Sequence, residues 1–175
     1  MGLSKIGPIM QMAFVPDDFD AALRHWTQTM GVGPFFLIEN IALENMRYLG
    51  ESSNAVFSIA LAYWGDMQIE LIRPDNDLPS LYRGDYAQSG ATLHHICIMT
   101  DDIMAARRIA EAAGATLLVE ADVGVDGAVI YVDSGNGPGS IVEILQPASG
   151  SGALFDMIKS ASVDWDGSDP VRILA

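Results

Sequence analysis

Four polar side chains sit inside otherwise apolar runs of this chain: Gln11 in "MQMAFV", Glu70 in "QIELI", His95 in "LHHICIM" and Glu143 in "IVEILQ". A carboxylate is costly to bury unless it is paired or bound to a metal. Two glutamates, an imidazole and an amide oxygen converging on one space would suit a divalent cation, and the two carboxylates would neutralise its charge. The imidazole favours a transition metal such as Zn, Co, Ni or Mn over calcium or magnesium. A cation held this way would polarise a carbonyl and acidify the adjacent C–H, so that a nearby glutamate could move the proton.

Such convergence has to come from the elements that carry these residues, and the sequence supplies a reason for it. Adding 84 to Gln11, Asp18 and Ala21 gives His95, Asp102 and Ala105, each at the same place in a strand, an Asp-Asp turn and an Ala-rich helix. "IELIRP" (69–74) and "VEILQP" (142–147) form a second matching pair, with Glu70 and Glu143 in the same slot. Between these anchors "PFFLIEN" and "VFSIALAYW" in one half, and "TLLVEAD" and "AVIYVDS" in the other, have strand composition. The expected fold is α+β: two tandem βαβββ modules forming a shared, curved mixed sheet around a central pocket. The modules are placed at 8–74 and 93–147, with a linker at 75–92 and a C-terminal helix and tail at 148–175. About eleven extra residues in the first module fall near "NIALENMRYLGESSN".

Strand parity puts His95, Cys97 and Met99 on one face and His94, Ile96 and Ile98 on the other. In a regular strand only one histidine of the doublet can face the pocket, and the alignment with Gln11 selects His95. His94 is then a packing or surface residue. Asp17 or Asp18, and Asp101 or Asp102, are placed to cap the two helices. Phe19, Ala22, Leu23 and Trp26 have the spacing of a helix face packed on the sheet.

The paired βαβββ layout, the helix starts "PDDFDAA" and "TDDIMAA" and the two strand glutamates resemble the vicinal oxygen chelate superfamily. That group includes glyoxalase I, methylmalonyl-CoA epimerase, extradiol dioxygenases and bleomycin-resistance proteins, and the resemblance covers residues 8–147. It implies metal ligands at Gln11, Glu70, His95 and Glu143, an order similar to that of animal zinc glyoxalase I. "LHHICI" resembles the second half of the epimerases. The resemblance further implies a lyase, isomerase or epimerase working through an enediolate or enolate, with Glu143 as base and Glu70 as the second acid–base or ligand group. Gln11 stands where the dioxygenases place a histidine, which disfavours iron chemistry. A non-catalytic protein that sequesters a hydrophobic small molecule is the alternative reading. Homodimers are common in the superfamily and are expected here.

The remaining features set boundaries. The formal charge of −14 over 175 residues would repel nucleic acid and anionic membranes, so neither is an expected partner. A single cysteine, Cys97, and the absence of a signal-peptide plan or a long apolar run fit a cytoplasmic protein. The expected partner is a small carbonyl compound: a small keto compound, a steroid-like ketone or an aromatic breakdown product. Arg47, Arg73 and Arg83 are candidates to hold an anionic group, and His25 is expected in solvent. "GNGPG" reads as a hairpin turn, since no P-loop lysine follows it.

Overall fold

The structure is a computed structural model that describes residues 2–87, 92–135 and 140–174. After a 3-10 turn at Leu3–Lys5 come β1 (Ile9–Phe14), α1 (Phe19–Arg24, continued by a π-turn at His25–Thr29) and β2 (Phe35–Ile41). A short hairpin follows, β3 (Glu44–Tyr48) and β4 (Glu51–Ser52), then β5 (Phe57–Trp64) and β6 (Met67–Pro74). The second half has β7 (Leu93–Met99), α2 (Ile103–Ala112), β8 (Thr116–Val123), β9 (Gly127–Asp133) and β10 (Ile141–Gln146). The chain ends in α3 (Ser151–Ser162) and β11 (Val171–Leu174). The "GNGPG" turn spans residues 135–139, of which 136–139 lie outside the described residues.

All the strands join one mixed sheet in the order β11-β2-β5-β6-β1-β7-β10-β9-β8-β3-β4. At its centre β1 and β7 run antiparallel, each flanked by a parallel neighbour, β6 and β10. The arrangement on one side of the β1–β7 seam therefore repeats on the other, which brings the equivalent strands of the two halves together. The expected α+β class with a curved mixed sheet is the observed one.

The curvature follows from the connections. β2 and β3 are separated by only Ala42 and Leu43, yet they lie near opposite ends of the strand order. Two residues span less than about 10 Å, so the sheet has to roll until its ends nearly meet. The extra segment of the first half is the strap that makes this crossing: β3 pairs antiparallel with β8 of the second half.

The helices α1 and α2 begin as expected. Asp18 accepts a hydrogen bond from the Ala21 amide and Asp102 one from the Ala105 amide, each at 2.8 Å. Such a cap is worth about 1 kcal/mol. Phe19 and Leu23 are buried against Ile69 and Leu71, with Ala22 and Trp26 half-buried beside them. Ala106 and Ala110 of α2 pack on Val142 and Ile144. The apolar neighbours of both glutamates thus face the helices, and the glutamates face the inside of the roll.

Two features were not expected. The polar tail returns to the sheet, where β11 pairs with β2; Trp165 covers Gly33, where a Cβ would fall 2.7 Å from the ring. The linker is also no loose connector, for Leu81 and Tyr82 are buried in the inner core with Ala13, Phe57, Ile72 and Tyr131. At the β11 end of the sheet α3 docks through Ile158 against Phe36 of β2 and Leu61 and Tyr63 of β5. Burying Ile158 stabilises that contact by about 1.5–3 kcal/mol.

Candidate functional site

Gln11, Glu70, His95 and Glu143 are all buried, and the inner wall of the roll brings them together. Register explains how: on neighbouring strands Gln11 and Glu143 both pair with Cys97, while Glu70 and His95 both pair with Ala13. The four side chains occupy the corners of a small patch on four adjacent strands. His95 Nε2 lies 2.9 Å from Glu143 Oε2 and 3.5 Å from Glu70 Oε2. One ligand atom from each of these three residues falls within 4.8 Å of the others. Gln11, Glu70 and Glu143 open onto a cavity of about 200 Å3, with His95 fully buried behind them.

Gln11 provides a test of whether a metal fits. Its Nε2 donates to Gln68 Oε1 at 2.7 Å, and Gln68 Nε2 in turn donates to the Tyr63 hydroxyl at 3.1 Å. This chain fixes the amide, leaving Gln11 Oε1 as a buried acceptor with no hydrogen-bond partner among the described residues. Buried polar atoms are normally satisfied. An acceptor without a donor, beside two carboxylates and an imidazole, is a set of groups that could hold a divalent cation. Cys97 contributes no thiolate: it is buried, and burial together with the Glu143 and Glu70 charges raises its pKa well above the ordinary thiol value.

His94 departs from strand parity. Ala13 pairs with His95 and the next residue, Phe14, pairs with Leu93, so His94 is an extra residue inserted in β7. Such a β-bulge sets two residues of one strand against one of its neighbour and re-aims the side chain. Instead of facing the helices, His94 is buried with its Nδ1 2.9 Å from His95 Nδ1. Its Nε2–H donates to the Leu81 and Tyr86 carbonyls at 3.2 and 3.1 Å. Carbonyls only accept, so Nε2 carries the proton of a neutral His94 and leaves its Nδ1 bare. His95 Nδ1–H must then be the donor between the rings, and His95 Nε2 points at the two glutamates. That nitrogen holds either a second proton or a lone pair for a metal.

The electrostatics agree with this assignment. Burial lowers the pKa of His94 to about 3, helped by the charge of His95. Burial also opposes charge on His95, but hydrogen bonds to Glu143 and Glu70 and their charges outweigh it and raise its pKa to about 9. Burial raises Glu70 above the ordinary carboxylate value; His95 pulls it back and Glu143 pushes it further up.

These shifts carry a sign that can be measured. Between pH 6.5 and 9 the folded metal-free chain binds the His95 proton more tightly than the unfolded one, so this stabilisation is complete below 6.5 and lost as pH rises through 9. Glu70, also raised, loses stability in the same direction. His94 works in the opposite sense: its contribution is complete above 6.5 and lost as pH falls towards 3. Thermal melts of chelator-treated protein should therefore show a falling Tm from pH 6.5 to 9.5. A flat or rising Tm over that interval would contradict the His95–glutamate pairing.

Several residues outside the initial set belong to the site. Tyr131, opposite Glu143 on β9, and Tyr82 of the linker share a hydrogen bond between their hydroxyls at 3.1 Å and both line the cavity. Gln68 shares the face of Glu70 by simple alternation, so parity could have found it; Tyr131 follows by the same rule from Ile130 and Val132 on the helix side. Tyr82 and the bulged His94 gave no such signal. Of the other candidates, Arg47, Arg73 and Arg83 lie away from this cavity and His25 is exposed.

The sequence model of the Glyoxalase/Bleomycin resistance protein/Dioxygenase superfamily matches residues 10–132. The chain belongs to that superfamily. No match is found among curated proteins. Among solved structures, the superfamily fold is shared with methylmalonyl-CoA epimerase from Mycobacterium tuberculosis. That pair has a TM-score of 0.57 at 14% identity, covering 87% of this chain and 96% of that one. A hypothetical protein from Bacillus halodurans gives a TM-score of 0.56 at 14% identity, covering 81% and 95%. A variant of the Streptomyces coelicolor epimerase in complex with 2-nitronate-propionyl-CoA gives 0.52 at 16% identity, covering 82% and 99%. At these identities the likeness establishes the fold. Among the described residues no helix is long and apolar enough to cross a membrane.

Proposed function

We propose that this protein is a metal-dependent lyase, isomerase or epimerase of the glyoxalase type, moving a proton at a carbon beside a carbonyl. The observation that carries this reading is the buried Glu70–His95–Glu143 cluster with the unpartnered Gln11 oxygen at its rim, opening onto an apolar cavity. Gln11, Glu70, His95 and Glu143 would hold the cation. When bound, a divalent ion supplies charge that polarises the substrate carbonyl and acidifies the adjacent C–H.

The chain's own residues supply the rest. His94 holds His95 with its Nε2 towards the glutamates, and Gln68 holds the Gln11 amide with its buried oxygen left free of a hydrogen bond. Glu143, on the cavity wall, takes the proton from the substrate carbon, and Glu70 acts as ligand or as the second proton carrier. The apolar surroundings keep water from competing for the resulting enediolate or enolate. The fold shared with methylmalonyl-CoA epimerases supports this reaction class. The apolar walls also favour a second reading, a binding protein that sequesters a hydrophobic compound.

Metal content separates the two. Protein purified without chelator and analysed for metals, then titrated with Zn, Co, Ni and Mn, should take up one ion per chain. Since binding displaces a proton from His95, affinity should rise with pH by up to about tenfold per unit from pH 6.5 and level off near 9. Calorimetry in buffers of different ionisation enthalpy would count the released proton. A chain that binds none of the four ions would leave the sequestering role.

A further inference from the structure

We infer that the occupant of this cavity is an uncharged, largely apolar molecule about one ring in size, and not a CoA thioester or another anion. The inference deepens the proposed function by naming the substrate class of the same site. Three observations carry it.

The first is charge. The described residues include all nine lysines and arginines, and none of them lines the cavity. Arg73 is engaged with Glu39 and Asp75, Arg107 with Glu111 and Glu120, and Lys159 with Asp66. Arg83 and Arg172 pair with Asp77 and Asp169, and Arg47 donates to the Gly50 carbonyl. Among the described residues, the charged side chains on the wall are Glu70 and Glu143. A phosphate or carboxylate placed there would meet two carboxylates and no lysine or arginine, and the positive charge the site can hold, on His95 or on a bound cation, is already engaged by Glu70 and Glu143.

The second is the wall. Ile38, Ile59 and Leu61 face Val129 from the other half, and Leu154 and Phe155 of α3 close one side. The cleft is open to solvent on one side and has a volume of about 200 Å3, room for about one ring beside the glutamates by comparison with the roughly 150 Å3 apolar cavity that accepts benzene. Apolar walls set size and affinity, and a few polar groups set orientation.

The third is a neutral donor. Tyr82 and Tyr131 share one hydrogen bond, which uses one of their two hydroxyl protons. A phenol keeps its proton near neutral pH, so both protons are in place. One O–H is left over on the cavity wall for a carbonyl or hydroxyl oxygen of the occupant.

The test uses three probes on the full chain, metal-free and zinc-loaded, by calorimetry. 2-Hydroxyacetophenone is neutral, has one ring and carries neighbouring oxygens; benzoylformate matches its size but adds a carboxylate; propionyl-CoA adds phosphates. 2-Hydroxyacetophenone should bind the metal-free chain at least about tenfold more tightly than either anion, and zinc should strengthen its binding. Leu154→Arg, with Phe155→Arg as a second variant checked for folding by circular dichroism, should reverse the order towards benzoylformate. The double change Tyr82→Phe with Tyr131→Phe should weaken 2-hydroxyacetophenone by roughly tenfold, the worth of one neutral hydrogen bond. Equal or tighter binding of either anion to the metal-free chain, or no detectable binding of 2-hydroxyacetophenone, would overturn the inference. If zinc is never taken up while the neutral probe still binds, the metal-dependent reading fails and this one stands.

Discussion

Glu143→Gln should slow deuterium exchange at the substrate carbon by about 10²–10⁴-fold, the usual worth of a positioned general base. Gln keeps an oxygen donor of nearly the same shape but cannot accept the proton. The Glu143 carboxylate lies 2.9 Å from His95 Nε2 and borders the cavity, so it is close to both the ligand cluster and the substrate space. Glu70 is 3.5 Å from the same nitrogen and its pKa is raised by burial, which suits it to hold or return a proton rather than to begin the reaction. The measurement is loss of the CH2 signal of 2-hydroxyacetophenone in D2O by proton NMR, normalised to bound metal. Normalisation matters because the variant also changes a proposed ligand. Wild-type rates in a folded, metal-loaded Glu143→Gln variant would remove Glu143 from the mechanism and point to Glu70.

His94→Phe should lower metal affinity by about 10–100-fold without emptying the core, because a ring of similar size still fills the space beneath Tyr82. What is lost is the bare Nδ1 that accepts from His95. Without it the His95 imidazole no longer has a fixed tautomer or orientation, and its Nε2 lone pair is not held towards the glutamates. His94→Gln provides the control, since an amide can accept from His95 through oxygen and donate to the Leu81 carbonyl through nitrogen. It should recover much of the affinity. A purely structural role would leave His95 unchanged in nitrogen-15 NMR of the metal-free protein above pH 9, where the ring is neutral, whereas the hydrogen-bonded chain predicts the neutral Nδ1–H tautomer only when residue 94 can accept. Unaltered affinity in His94→Phe would show that His95 needs no such partner.

These two variants also mark how far the sequence could be read. Glu143 and Glu70 were visible because strand alternation is local: their neighbours Val142, Ile144, Ile69 and Leu71 are apolar, and a residue between two apolar ones on a strand must face the other way. The 84-residue offset then tied Gln11 to His95 and gave the halves a reason to converge. His94 defeated the same rule, because a bulge arises from how β7 pairs with β1 and not from the composition of either strand. Tyr82 was hidden for a related reason. It lies in "DNDLPSLYRGDY", whose polar residues read as a connector, although its Leu and Tyr side chains complete the inner core. The β3 strap and the β11 return were also illegible, since each gains its stability from a distant partner strand and carries little strand signal of its own.

The crossing from β2 to β3 has a consequence for how this molecule comes together. A chain written as two similar halves might be expected to fold one half at a time. Here the first half cannot complete its own edge: residues 44–48 find their partners only after residues 116–123 exist and are in place. Closing that loop of about 70 residues costs entropy before any strand pairing offsets it, and such non-local pairing slows folding. The halves are thus interlocked rather than merely adjacent. A fragment ending after β6 would carry Gln11 and Glu70 on a sheet whose strap has nothing to grip, and a cut in the linker would leave two pieces still bound through β1–β7 and β3–β8. The strand pairings that bring the two halves to one site also make it indivisible.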